Sequence, residues 1–207
     1  MNYNVNQGDS ISSIAFAYGF NWQTIWNHPS NAALKSQRQD PDVLYPGDVV
    51  YIPDKTPRIE ERPVDAKHTF VKLSTPDRLI LRLLRNFEPR ANEAYTLVID
   101  GTSINGTTDG DGMVNQPLNP GAQKAQLILD GGNEVHQLAL RHIDPVDTIS
   151  GAQGRLANLG FYSGEITGQM DDATTSAIVS FQTAYQLPQT GDMDAATQSR
   201  LESEYGC

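Results

Sequence analysis

Apolar residues recur along this chain with two distinct periods, and the changes of period divide it. In the first stretch Tyr3 and Val5 alternate with Asn2, Asn4 and Asn6, the two-residue period of a half-buried strand. Gly8-Asp9-Ser10 turns the chain, with Asp9 or Ser10 available to cap a helix whose Ile11, Ile14, Ala15 and Tyr18 fall on one face. Gly19 stops that helix, and Asn21 caps a second, short one from Trp22 to Trp26. Residues 27–41 are read as a polar loop. It leads to the turn Tyr45-Pro46-Gly47-Asp48 and a closing strand, Val49-Val50-Tyr51-Ile52-Pro53. The expected order is strand, helix, helix, strand.

Residues 54–66 carry prolines among charges without apolar periodicity and read as a linker. The next segment, residues 67–143, is strand-rich. Phe70, Leu79-Ile80-Leu81, Tyr95, Leu97, Ile99, Leu127, Leu129, Leu138 and Leu140 fall in short alternating runs. Pro76-Asp77, Asp100-Gly101, Asp109-Gly110-Asp111-Gly112 and Asp130-Gly131-Gly132-Asn133 separate the runs, and Asp-Gly favours tight hairpins because both turn residues need positive φ. An antiparallel β-sandwich is expected. After a second break at Asp144-Pro145-Val146-Asp147, residues 147–206 become helical. One stripe runs Ile149, Ala152, Leu156, Leu159 to a stop at Gly160; a second runs Ala173, Ala177, Ile178, Phe181, Tyr185 after a cap at Asp171 or Asp172. Asp194 caps a last helix with Thr197 and Leu201. The fold class expected is α+β and multi-domain: a βααβ module, a central sandwich and a C-terminal three-helix bundle.

The first segment resembles a LysM domain. The resemblance rests on Tyr3-x-Val5, Gly8-Asp9-Ser10, Ile14-Ala15, Tyr18-Gly19, Pro46-Gly47-Asp48 and Tyr51-Ile52-Pro53, and covers residues 1–53. It implies a shallow groove for N-acetylglucosamine polymers, with Gly8, Asp9, Ser10 and Ile11 on one lip and Trp26, Asn27, Pro29 and Asn31 on the other. Amides and carbonyls would pair with acetamido groups while an aromatic or proline face stacks on a sugar ring. Residues 27–41 are longer than in a minimal member of that family. The last segment resembles the small three-helix peptidoglycan-binding domain, through Leu156-x-x-Leu159-Gly160-Phe161-Tyr162, Gly164, Gly168, Thr174-x-x-Ala177-Ile178-x-x-Phe181-Gln182 and Thr190-Gly191-x-Met193-Asp194-x-x-Thr197. Phe161 and Tyr162, after a helix stop, are the candidates there for a second glycan contact. In the middle, Val98-x-Asp100-Gly101, Gly106-Thr107-Thr108-Asp109 and Asp111-Gly112 resemble the paired hairpins of transthyretin-like and immunoglobulin-like modules, which occur on secretion-system spikes and carboxypeptidases.

Composition narrows what the chain does. A net charge of −10 over 207 residues argues against nucleic acid and anionic membrane, and against holding wall carboxylates by charge. Cys207 is the sole cysteine, so no intramolecular disulfide or cysteine-based metal site is expected. No apolar run reaches membrane-spanning length and Met1–Val5 has no leader character, so the expected site of synthesis and residence is the cytoplasm, with action at the wall after delivery. Asp109-Gly110-Asp111-Gly112 lacks the further ligands of a calcium loop. His136 and His142, six residues apart, would share a strand face but have no zinc-peptidase companions. No nucleophile motif, carboxylate pair or phosphate loop stands out, so no catalytic residue, cofactor or metal is expected. The expected partner is peptidoglycan or a chitin-like oligosaccharide, bound without catalysis by an accessory or cargo-targeting component of a secretion or phage-tail-like apparatus. The central domain would then meet a lytic effector or a spike or tail protein. A structural adaptor of such an apparatus, with vestigial sugar binding, is the alternative.

Overall fold

The computed structural model describes residues 1–56, 61–67, 69 and 77–205; Phe70 and Pro76 lie outside them. The chain divides into two compact units. One comprises Met1–Tyr3, Ser12–Asn31 and Val50–Leu140; the other comprises Asn4–Ile11, Ala32–Val49 and Arg141–Cys207.

Two short strands, β1 (Asn2–Asn4) and β2 (Val49–Tyr51), form a two-stranded sheet near the N-terminus. The pairing extends one step further where the Met1 ammonium donates to the Ile52 carbonyl at 2.6 Å and Ile52 N donates back at 2.7 Å. Helix α1 (Ile11–Tyr18) buries Ile11, Ile14 and Ala15, as their spacing predicts. Gly19 ends it at φ +69°. Helix α2 (Trp22–Trp26) starts where the Asn21 side chain accepts from Gln23 N at 2.9 Å.

The stretch read as a polar loop is largely helical. Pro29–Asn31 forms a 3₁₀ turn, and α3 (Ala32–Arg38) follows. The reason is compositional: Ala32-Ala33-Leu34-Lys35-Ser36-Gln37-Arg38 is rich in strong helix formers, but Leu34 is its sole buried residue. Hydrophobic periodicity is therefore silent there. Asp9 also stabilises the turn that leads into α1. Its carboxylate accepts from Asn6 N at 2.8 Å.

The central segment is antiparallel throughout. Its strands are β3 (Asp77–Arg82), β4 (Leu84–Arg85), β5 (Glu88–Pro89), β6 (Ala94–Ile99), β7 (Thr102–Thr107), β8 (Met113–Leu118), β9 (Lys124–Leu129) and β10 (Glu134–Ala139). One sheet has the order β10-β9-β6-β7, β3 pairs with β8, and β4 with β5. Alternate residues of β6 and β9, Tyr95, Leu97, Ile99, Leu127 and Leu129, point inward onto Leu79, Val114 and Leu118 of the β3–β8 pair. The Asp100-Gly101 hairpin has positive φ at both residues, 49° and 77°, which is the chemistry its sequence predicts. The Tyr95 ring lies over Gly106; a Cβ there would sit 2.4 Å from the phenol oxygen. Tyr95 OH accepts from Gln116 Nε2 at 2.8 Å.

Buried Arg90 holds one end of this domain. Its guanidinium donates to both carboxylate oxygens of Glu134, at 2.6 and 2.8 Å, and to Glu93. The Arg90 hydrogen bonds, and then that of His136, hold the Glu134 carboxyl down at about 2. His136 lies on β10, but the strand ends at Ala139 and Arg141 has φ +59°, so His142 does not continue that face.

The C-terminal helices are α4 (Ile149–Asn158), α5 (Asp172–Ala184) and α6 (Ala195–Tyr205). Ala152, Leu156, Tyr162, Ala177, Ile178, Phe181 and Leu201 make their core. Asp171 caps α5 by accepting from Thr174 N at 2.7 Å, and Asp194 accepts from Thr197 N at 2.8 Å. Thr148, which sequence reading passed over, caps α4 by accepting from Gly151 N at 3.0 Å.

Candidate glycan-binding residues

On the turn after α2, the chain uses polar groups first to hold itself. Asn31 is 1% exposed. Its Nδ2 donates to the Ile25 and Tyr51 carbonyls, both at 2.8 Å, and its Oδ1 accepts from Tyr51 N at 2.7 Å. One amide thus ties the 3₁₀ turn to strand β2 with every polar atom engaged. Trp26 is 4% exposed, so its ring packs inside rather than offering a face to solvent. The His28 ring lies on Tyr51 with centroids 4.7 Å apart, and its Nδ1 accepts from Ser30 N. Asn27 and Pro29 are exposed.

The first turn, in the other unit, follows the same logic. Ser10 and Ile11 are fully buried, and Ile11 N donates to the Pro41 carbonyl at 2.9 Å. Gly8 has φ +89° and is buried beneath the His142 imidazole, which would lie 3.0 Å from a Cβ at that position. Gln7 Nε2 donates to the His142 carbonyl and to Asp144 Oδ1, at 3.2 and 3.3 Å. Asp9 is half-buried. Of the eight residues expected on the two lips, Gly8, Ser10, Ile11, Trp26 and Asn31 are buried and Asp9, Asn27 and Pro29 are accessible. The Pro-Gly-Asp turn also has a partner that sequence reading missed. Arg38 of α3 grips Asp48 through two parallel bonds, Nε to Oδ2 at 2.8 Å and Nη2 to Oδ1 at 2.9 Å.

Phe161 and Tyr162 pack within the C-terminal bundle. Phe161 meets Phe181 edge-on at 5.5 Å, and Tyr162 is buried with its hydroxyl donating to the Glu165 carbonyl at 2.8 Å. Two fully buried glutamines organise this bundle. Gln153 Nε2 donates to Thr167 Oγ1, the Gln169 carbonyl and Thr174 Oγ1, while its Oε1 accepts from Gly168 N. Gln182 repeats the set with Thr190, the Asp192 carbonyl, Thr197 and Gly191 N. Beneath the repeated geometry lies a repeated sequence, Thr-Gly-x-Met-Asp-x-Ala-Thr, at 167–174 and again at 190–197. The repeat is legible in the sequence itself. Among the described residues, no three His, Cys, Asp or Glu are placed to hold a metal ion.

Comparison with family models matches the LysM domain over residues 3–53 and the peptidoglycan binding domain (PG_binding_1) over residues 147–201. The chain carries a LysM domain and a peptidoglycan-binding domain. No curated protein and no solved structure matches it. Both domains are binding rather than catalytic modules, and they support peptidoglycan as the ligand. In the LysM domain, the pattern residues Val5, Ser10, Ile14, Ala15 and Ile52 are buried and Asp48 is held by Arg38, so these positions serve the fold. In the peptidoglycan-binding domain, Gln182, Thr190, Gly191 and Thr197 do the same. No helix among the described residues is long and apolar enough to cross a membrane.

Proposed function

We propose that this chain is a non-catalytic peptidoglycan binder that uses its two end domains together, and that it serves as an accessory or cargo-targeting component of a secretion or tail-like injection apparatus. The observation that carries the binding reading is the presence of two unrelated wall-binding domains in one chain. Two weak sites on one repeating polymer raise retention by effective concentration rather than by new contacts. Among the expected LysM contacts, the accessibility of Asp9, Asn27 and Pro29 favours these three as the ones that meet sugar. The apparatus reading rests on the central domain, whose hairpins resemble those of spike-attached modules.

Sedimentation of the purified chain with washed sacculi tests the binding. Substantial co-sedimentation without release of soluble muropeptides is expected. Complete recovery in the supernatant would remove the binding reading, and muropeptide release by pure protein would remove the non-catalytic one. The burial of Gly8, Trp26 and Asn31 favours a second reading, a structural adaptor in which the LysM domain has lost its sugar. That reading expects chitin oligomers to leave the chemical shifts of Asp9, Asn27 and Ser30 unmoved.

A further inference from the structure

The charge of −10 is spread unevenly. Residues 1–53 have four carboxylates against Lys35 and Arg38, and residues 147–207 have eight against Arg155 and Arg200. Arg38 is taken by Asp48, Arg155 donates to the Asp144 and Gly151 carbonyls, and Arg200 pairs with Glu204 at 2.8 Å. Three of the four cations in the two wall-binding domains are thus already engaged. Peptidoglycan, however, is a glycan hung with short peptides that bear free carboxylates.

Further cations are on the central domain. In β3, Arg78, Ile80 and Arg82 share the face opposite Leu79, which enters the core. All three are exposed, Ile80 by 57% despite being apolar. Across the strand pair they meet Pro117, Asn115 and Met113 of β8, none of which carries charge. Arg78 donates through Nε to Asn115 Oδ1 and through Nη2 to the Asn115 carbonyl; Arg82 Nε reaches the Asp111 carbonyl at 3.4 Å. Those bonds orient each guanidinium with neutral acceptors. Neither is paired with a carboxylate among the described residues. The two lie four residues apart on one strand, which is about 13 Å, with an apolar side chain between them.

We propose that this face binds the stem peptides of peptidoglycan, Arg78 and Arg82 each taking a carboxylate while Ile80 packs against the short apolar side chains between. The proposal rests on the reading of the chain as a peptidoglycan binder. The chemistry suits the residues: a guanidinium fork matches a carboxylate, and an extended peptide has the reach of the strand it lies along. A local basic face thereby does what the overall charge argues against.

The test uses the full chain and two soluble polymers, un-cross-linked peptidoglycan strands with their stem peptides and the same strands after an amidase has removed the peptides and left one lactyl carboxylate per disaccharide. Wild type should bind the intact polymer about three- to tenfold more tightly than the stripped one, the scale of two exposed ion pairs. That margin should vanish near 1 M salt, where the screening length is about 3 Å. Arg78→Gln/Arg82→Gln should bind both polymers equally, at the wild-type level for stripped glycan, with an unchanged melting temperature. Arg78→Lys/Arg82→Lys should keep part of the margin and guards against a folding defect in the first variant. A margin that survives in the Gln variant overturns the proposal, as does an equal loss on both polymers. Wild type binding both polymers alike sinks this inference alone, whereas binding neither sinks the peptidoglycan reading beneath it. Self-association that disappears in the Gln variant, without any stem-dependent margin, would assign the face to a second copy of the chain instead.

Discussion

At the scale of single residues, buried polar and aromatic side chains of both end domains serve folding first. Gln153 is fully buried with four hydrogen bonds, and truncating it leaves Gly168 N and two threonine hydroxyls without their partner. Gln153→Ala should therefore destabilise the C-terminal helices by about 3 kcal/mol, read as a lower urea midpoint at 222 nm. An unchanged midpoint would mean that the glutamine clasp contributes nothing. Trp26 belongs to the same class. Trp26→Ala should cost about 3–5 kcal/mol of stability before any sugar is added, because the ring is buried. Loss of chitin affinity with unchanged melting would instead place the ring in the binding surface. Glu134 gives a pH signature. Its folded pKa, about 2, lies below the ordinary 4.5, so its contribution is complete above about pH 4.5 and is lost as pH falls toward 2. Glu93, also lowered by its bond to Arg90, moves in the same direction. Glu134→Gln should flatten the acid limb of the stability profile; an acid limb identical to wild type would show that the pair is not coupled to folding.

At the scale of elements, turns and caps were the most legible features. Asp100-Gly101 declared its hairpin, and Asn21, Asp171 and Asp194 declared three helix starts, because each signal is a local hydrogen bond or a required φ. Helix α3 was not legible as periodicity, since one buried leucine makes no stripe. The candidate LysM contacts were legible as a motif but not as a surface. Gly8 is covered by His142, a residue far along the chain, and a linear pattern holds no record of what folds back over it. The β4–β5 hairpin breaks the usual turn rule. Its two-residue loop is Asn86-Phe87, with φ of 54° and 65°, and the second position ordinarily belongs to glycine. Phe87 is 65% exposed, so replacing it with glycine loses little burial and relieves the left-handed strain. Phe87→Gly should stabilise the central domain by about 0.5–1 kcal/mol. A drop in its urea midpoint would mean that the phenyl ring contributes packing worth more than the strain.

At the scale of the whole chain, the question is whether its two wall-binding domains act as one binder. Each matched segment is small, 3–53 and 147–201, and a small shallow site holds a short oligosaccharide weakly. Sacculi present the same ligand many times over, so once one domain is bound the second meets its ligand at an effective concentration set by the chain between them. If both can engage, retention on sacculi should exceed affinity for a soluble tetrasaccharide by about 10²–10⁴ without any contact that the tetrasaccharide lacks. The comparison is best made with Arg78→Gln/Arg82→Gln as the parent chain, which removes the contribution proposed for that face. Asn27→Ala/Pro29→Ala, changing two exposed residues of the LysM domain, should then bring sacculus retention down toward the tetrasaccharide value while leaving the C-terminal domain intact. Equal affinities for polymer and tetrasaccharide in the parent chain would mean that the domains never bind together, either because one is inactive or because their separation does not match the spacing of the polymer. The Asn27→Ala/Pro29→Ala variant then shows whether the LysM domain is the sole active one, since residual binding is abolished only in that case.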